Sequence, residues 1–321
     1  MNNASSTEQH SMAGQTETAQ SKGVRPTFIN IGPGRCATSW LLEALKAHPE
    51  IEMAKVKETE YFNTNFDRDV DWYESHFSAG NNNAQAIGEI SNNYYLDASV
   101  AQRISDYDAS LKLIINLRNP YTLFESFYQF GIRRGLELPP VEQAMDIPIG
   151  RLMGSGYEAR QRKNELTPSD QQTLFKAVCL ADRMQPFLQT FDNDQIHFFV
   201  FEQLSNDWQS ALADLYQFLD VASDFQPEGA SKIVNASVEP KSKTLARMAT
   251  ATASLLRRVG AYGILARLHR STLIKRVLFN SNVKEDQSNE LRSKLPAEVV
   301  EKLDAQIESL KTLNPSLRQL W

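Results

Sequence analysis

Apolar positions along this chain come in short blocks separated by turn residues, and the spacing within each block changes between two regimes. Thr27-Phe28-Ile29-Asn30-Ile31 is a compact apolar run stopped by Gly32-Pro33-Gly34, the pattern of a short buried strand. From Thr38 to Ala47 the apolar residues Trp40, Leu41, Ala44 and Leu45 recur at helical spacing, and His48-Pro49 closes the segment. Further strands are expected at Ala86 to Ile90, Leu111 to Leu117 and Ile196 to Phe201, where β-branched and aromatic residues cluster. Helical spacing covers Tyr121 to Arg134, Asp170 to Thr190 and Asp207 to Leu219, with shorter stretches at Asp69 to Phe77 and Val100 to Asp106. A last helix from Pro296 to Leu313 lines up Val299, Leu303, Ile307 and Leu310 on one face, which should pack on the core. Such alternation predicts an α/β protein of three layers, with a central, mostly parallel sheet flanked by helices.

Composition narrows this only a little. A formal charge of −5 over 321 residues argues against general nucleic-acid binding, so any anion site must be built locally. Cys36 and Cys179 are too few for a disulfide framework and lack metal-ligand company, which suits reduced thiols and a cytoplasmic location. Residues 1–25 are polar, with no apolar signal-like core, and are expected to form a disordered tail ahead of one domain spanning 26–321. No apolar run reaches the roughly 18 residues of a membrane-spanning helix.

One stretch departs from the rest. Lys241 to Lys284 holds ten Lys or Arg residues and no Asp or Glu, and a basic helical segment is expected over 240–285. It reads either as a solvated basic helix face or as a surface for an acidic substrate or the inner face of a membrane.

The candidate chemistry starts at the first loop. A loop at the carboxyl end of a parallel strand, leading into a helix, offers backbone N–H groups to an anion. Within Gly32-Pro-Gly-Arg-Cys-Ala-Thr-Ser39 the glycines permit close approach, Arg35 supplies a permanent fork of donors, and Thr38 and Ser39 add hydroxyls. A nucleotide triphosphatase loop would carry Lys directly before its Mg²⁺-binding hydroxyl, whereas Ala37 precedes Thr38 here. That suits an anion held without a metal. The alternative for the loop alone is a structural turn.

The order of these residues resembles the phosphosulfate-binding loop of the sulfotransferase family, in which a basic residue, two small residues and a Thr/Ser pair precede His-Pro. Here those are Arg35, Cys36-Ala37, Thr38-Ser39 and His48-Pro49, with Cys36 and Ala37 replacing the usual Ser or Thr and Gly. Lys57-Glu58-Thr59-Glu60-Tyr61-Phe62 is similar to the Lys-Glu-x-x-Phe-Phe motif of the bacterial and carbohydrate enzymes. Arg118-Asn-Pro, followed by Ser126 on the next helix, resembles the 3′-phosphate site, with Arg118 and Ser126 together holding a ribose phosphate. Weaker similarity, including Gly88-Glu89-Ile-Ser91-Asn-Asn-Tyr94, extends the match to roughly Pro26 to Trp321.

The resemblance implies a P-loop-like fold and transfer of a sulfuryl group from 3′-phosphoadenylyl sulfate (PAPS), without a metal, to a hydroxyl-bearing sugar, glycolipid or small metabolite. It implies donor binding by Arg35, Cys36, Ala37, Thr38, Ser39, Trp40, Arg118 and Ser126. Arg35 and Lys57 would assist at the leaving phosphate, and Glu58 would act as the base. Glu60 is the rival base, because an extended segment would point both carboxylates to one side. Asn235, Lys241 and Lys243 would belong to a segment that closes over the donor. Two other readings stand beside this one: a nucleotide-dependent kinase on a related fold, and a non-catalytic membrane-associated module using the basic segment.

Overall fold

A computed structural model of the chain describes residues 24–77, 81, 83–154, 157–228, 238–240, 279–281 and 287–321. The expected tail, nearly all of the basic segment, and Asn235, Lys241 and Lys243 lie outside the described residues. Five strands, β1 (Phe28–Asn30), β2 (Ile51–Met53), β3 (Ala86–Ile90), β4 (Lys112–Leu117) and β5 (Ile196–Val200), form one sheet in the order β2-β3-β1-β4-β5. Every pairing in it is parallel, with Phe28 opposite both Gly88 and Lys112. Two further strands, β6 (Val238–Pro240) and β7 (Phe279–Ser281), pair antiparallel with each other.

The strands alternate their side chains between two apolar clusters. Leu113, Ile115 and Leu117 of β4 face one side, with Ile29 of β1. Ile114 and Phe28 face the other, with α1 (Thr38–Ala47) and α10 (Phe201–Phe218). On the first side lie α3 (Ser99–Tyr107), α4 (Pro120–Arg133), α8 (Leu174–Val178), α9 (Leu180–Thr190) and α12 (Ala297–Leu313). Burial on both faces explains the near-continuous apolar character of β1 and β4. The last helix packs as its periodicity requires, with Val299, Leu303 and Leu310 buried.

Three expectations need correction. Strand β2 follows His48-Pro49 and was not anticipated, since three residues with a central Glu52 carry no periodic signal. His48 is buried there: its Nδ1 accepts from the Glu50 amide at 3.1 Å, so its Nε2–H donates to the Ala222 carbonyl at 2.9 Å. The single helix expected over Asp170 to Thr190 is instead three: α7 (Pro168–Gln171), α8 and α9. Its early amides are used elsewhere, Leu174 N donating to Ile147 O and Phe175 N to Met145 O, so a tertiary pairing outcompetes the helix ladder. Helix α10 begins six residues before Asp207, where the backbone breaks at φ −154° and Asp207 Oδ1 re-caps the second half through Ser210 N at 3.0 Å.

Candidate active site

The loop from Gly32 to Ala37 leaves the carboxyl end of the central strand β1 and enters α1, so it sits above the middle of the sheet. Its two ends are tied down from beneath by amide side chains. Asn30 Oδ1 accepts from Gly32 N at 3.0 Å, Asn30 Nδ2 donates to Asn116 Oδ1 at 2.8 Å, and Asn116 Nδ2 donates to the Cys36 carbonyl at 3.4 Å. Both asparagines are fully buried. Their signal in the sequence is one polar residue inside each apolar strand, and it was missed because strand reading discounts a single interruption.

Gly32 has φ +92°, and a Cβ there would lie 2.2 Å from the Asn92 carbonyl oxygen. Both the conformation and the contact require glycine. Gly32→Ala should therefore cost about 2 to 3 kcal/mol, the scale of a strained backbone position with a clash added. A thermal unfolding midpoint equal to that of the parent chain would contradict this.

Within the loop the candidate residues divide by what they expose. Arg35 and Ala37 both have positive φ, 66° and 60°. The Cys36 side chain is buried in the core, where burial pushes its thiol well above the usual range. Trp40 is also buried, stacked on Phe199 with centroids 6.3 Å apart. Cys36 and Trp40 can therefore offer an anion only their backbone N–H. Helix α1 has no side-chain N-cap at Ala37, and a helix N-terminus presents its first N–H groups to an acceptor. Ser39 is exposed at that terminus.

Arg35 lies over the Phe130 ring at 4.7 Å and donates through Nε to Ser126 Oγ at 3.3 Å. Arg118 is buried, stacks on Phe201 at 4.2 Å, donates through Nε to Thr122 Oγ1 at 3.1 Å and through Nη1 to the Arg35 carbonyl at 2.7 Å. Ser126 thus bonds to the Arg35 side chain, and Arg118 reaches the Arg35 backbone. Burial, with Arg133 and Arg118 as like charges, lowers the Arg35 guanidinium to about 10. Burial also lowers Arg118. Crowded guanidinium charge of this kind is unfavourable by itself and becomes favourable when an anion is bound among it.

The second group of residues stands beside the loop. Lys57 Nζ donates to Ser39 Oγ at 3.0 Å and lies 3.8 Å from Glu58 Oε1; burial lowers its ammonium below the ordinary lysine value, with Glu58 opposing. The Glu58 side chain is 40% exposed. Residues 58–60 are not extended, contrary to expectation: Glu58 and Glu60 both adopt left-handed backbone, φ 62° and 51°. Hydrogen bonds impose this. Glu58 N donates to Ile90 O at 3.0 Å, Glu60 N to Ser91 Oγ at 3.2 Å, and Asn65 Nδ2 to the Thr59 carbonyl at 2.8 Å. The two carboxylates consequently differ in setting. Glu58 is exposed, whereas Glu60 is held by Asn63 Nδ2 at 2.6 Å and Asn93 Nδ2 at 3.2 Å. Burial pushes Glu60 up to about 7, against the pull of the Asn63 bond and with the charges of Glu58 and Glu89 adding to it.

Beneath both lies Glu89 at the end of β3, completely buried and accepting four hydroxyls: Thr59 at 2.5 Å, Ser91 at 2.8 Å, Tyr73 at 2.9 Å and Tyr94 at 3.0 Å. Burial raises it and those hydrogen bonds oppose the rise. This carboxylate fastens the 59–62 turn to the 91–94 turn. Asn92 and Asn93, between its donors, were not singled out as site residues from the sequence.

Fold and site together define a parallel α/β protein with a loop at the end of its central strand that leads into a helix N-terminus, with guanidinium groups at the loop and carboxylates beside it. A model of the sulfotransferase domain matches residues 25–254, and the chain belongs to that family. It is 32% identical over 125 residues to the membrane-associated sulfotransferase kil1 of Dictyostelium discoideum, covering 38% of this chain and 26% of that protein. It is 23% identical over 211 residues to the bifunctional heparan sulfate N-deacetylase/N-sulfotransferase 1 of Caenorhabditis briggsae, covering 63% of this chain and 23% of that protein. The chain thus spans about a quarter of the length of these two relatives. The crystal structure of a sulfotransferase from Alicyclobacillus acidocaldarius shares the fold, with a TM-score of 0.57 and 22% identity over 90% of this chain and 96% of that one. Among the described residues no helix is long and apolar enough to cross a membrane.

Proposed function

We propose that this chain transfers a sulfuryl group from PAPS to a hydroxyl of a carbohydrate, glycolipid or small metabolite, releasing adenosine 3′,5′-bisphosphate, with Glu58 as the base. The observation that carries the reading is the convergence of two guanidinium groups on one loop: Arg35 within it, and Arg118, whose Nη1 donates to the Arg35 carbonyl at 2.7 Å, beside the start of α1. A bound phosphosulfate nucleotide supplies both the activated sulfuryl group and the anionic charge that such an arrangement calls for. The residues present fit that guest: backbone N–H groups at the start of α1, the fork of Arg35, the hydroxyls of Thr38 and Ser39, and Arg118 and Ser126, each hydrogen-bonded to Arg35.

In this reading Arg35 and the helix terminus stabilise charge that develops on the leaving phosphate, and Lys57, already on Ser39, adds a second cation there. Glu58, exposed beside Lys57, takes the proton of the attacking hydroxyl. Glu60 is the weaker candidate, because Asn63 and Asn93 already occupy its oxygens and burial favours its neutral form. Transfer of this kind asks for positioning and charge stabilisation more than covalent work by side chains. A sugar acceptor is supported by the Lys57-Glu58 motif and by a heparan sulfate enzyme among the relatives, whose own acceptor belongs to that enzyme.

Calorimetric titration tests the donor. Adenosine 3′,5′-bisphosphate should bind in the presence of a chelator, and Mg²⁺-ATP should bind weakly or not at all; the opposite order would favour a kinase. Radiolabelled sulfate carried from the donor into a fractionated extract of the source cells, with mass analysis of the product, identifies the acceptor.

A further inference from the structure

Asn92 is 6% exposed and sits between the two halves of the site. On one side its backbone carbonyl lies against Gly32, and its Cβ and Cγ come within 3.5 Å of where a Gly34 Cβ would stand. On the other side its Nδ2 donates to Glu58 Oε1. The remaining end of the amide, Oδ1, is buried and accepts no hydrogen bond from the described residues. A purely structural asparagine would use both ends of its amide, since a buried acceptor left unpaired is unfavourable. Among the described residues the side-chain bond that accounts for the amide is the one to the carboxylate.

Glu58 needs such a partner. Its backbone is fixed in the left-handed region by the bond to Ile90 O, while its side chain is 40% exposed. Besides Asn92, its Oε1 has Lys57 Nζ at 3.8 Å, beyond hydrogen-bond length. A half-exposed carboxylate with one weak ion pair samples several rotamers. Asn92 removes that freedom from the side where the donor loop lies.

We propose that Asn92 is a positioning residue for the transfer reaction, holding the Glu58 carboxylate at a set orientation to the phosphosulfate loop. The inference rests on Glu58 being the base, and it adds a link from the base to the loop glycines through a single side chain. Asn92 touches both, so it fixes the orientation of the base carboxylate relative to the donor loop.

Kinetics of Asn92→Ala and Asn92→Asp, alone and with Glu58→Gln, test this. The expected result is a kcat lower by roughly tenfold to a hundredfold, a part of the full contribution of a general base. Affinity for adenosine 3′,5′-bisphosphate should stay within about twofold, because the loop cations are untouched. In Asn92→Asp the low-pH limb of the kcat profile should move to higher pH, as a carboxylate then faces a carboxylate. In the Glu58→Gln background, Asn92→Ala should cost little more.

Three results would overturn the proposal while leaving the base assignment intact: wild-type kcat in both Asn92 variants when Glu58→Gln is inactive, fully additive losses in the double variant, or nucleotide affinity falling in step with kcat. The last would make Asn92 a strut of the loop. Full activity of Glu58→Gln itself would remove the base reading and this inference with it. If Asn92→Asp fails to fold by circular dichroism, Asn92→Ala and the double variant still decide the matter.

Discussion

Glu58→Gln should lower kcat by about a hundredfold to a thousandfold, within the range that a positioned general base contributes, with nucleotide affinity held within about twofold. The substitution keeps the shape of the side chain and removes only its ability to take a proton. Because Glu58 is exposed and its backbone is tied to Ile90 O, the fold should not register the change, and thermal unfolding should stay within about 1 kcal/mol of the parent. Steady-state rates with a sulfate-accepting substrate, alongside calorimetry with adenosine 3′,5′-bisphosphate, check both halves. Undiminished kcat would transfer the role to another group, and Glu60→Gln would be the next variant to measure.

Arg35→Ala should cost a similar factor, on the order of 2.7 to 4 kcal/mol of transition-state stabilisation, and here nucleotide affinity should fall as well. Stability should move the other way or not at all. The Arg35 guanidinium is depressed to about 10, chiefly by burial and then by Arg133 and Arg118. The folded state therefore binds that proton less tightly than the unfolded chain, which makes the charged group unfavourable for folding at neutral pH. The penalty is relieved only as pH rises through 10 and above. Removing the charge removes the penalty, offset by the lost contact with Phe130. A midpoint at or above that of the parent, with activity lost, would mark Arg35 as a residue kept for the ligand. A large drop in the midpoint would make it a structural strut between the loop and α4.

Much of this architecture was legible because it is local. The strand at Phe28, the helix from Thr38 and the strand at Ala86 each announce themselves within ten residues of sequence, and the loop between the first two carries its glycines and Arg35 in order. The motif around Lys57-Glu58 was also found, but its geometry was not. Left-handed backbone at two glutamates has no propensity signal, and only the bonds to Ile90 O and Ser91 Oγ impose it. The bond between Ser126 and Arg35 was hidden for a related reason, as was the reach of Arg118 to the Arg35 carbonyl, since each joins positions more than 80 residues apart. Glu89 with its four hydroxyls, Asn30 with Asn116, and Asn92 with Glu58 are polar contacts between distant segments. No periodicity marks them, because each residue is an exception to the local pattern of its own element.

The bond between Asn30 and Asn116 has one more consequence. Each of these amides also grips one end of the loop, at the Gly32 amide and at the Cys36 carbonyl, so the two ends are closed into a ring anchored on neighbouring strands. The Arg35 side chain takes no part in these anchoring bonds, which hold the loop ends through the Gly32 amide and the Cys36 carbonyl. That separation of frame from content explains how a loop with Cys36-Ala37, at odds with the usual small pair, still presents a cation and a helix terminus to the same point in space.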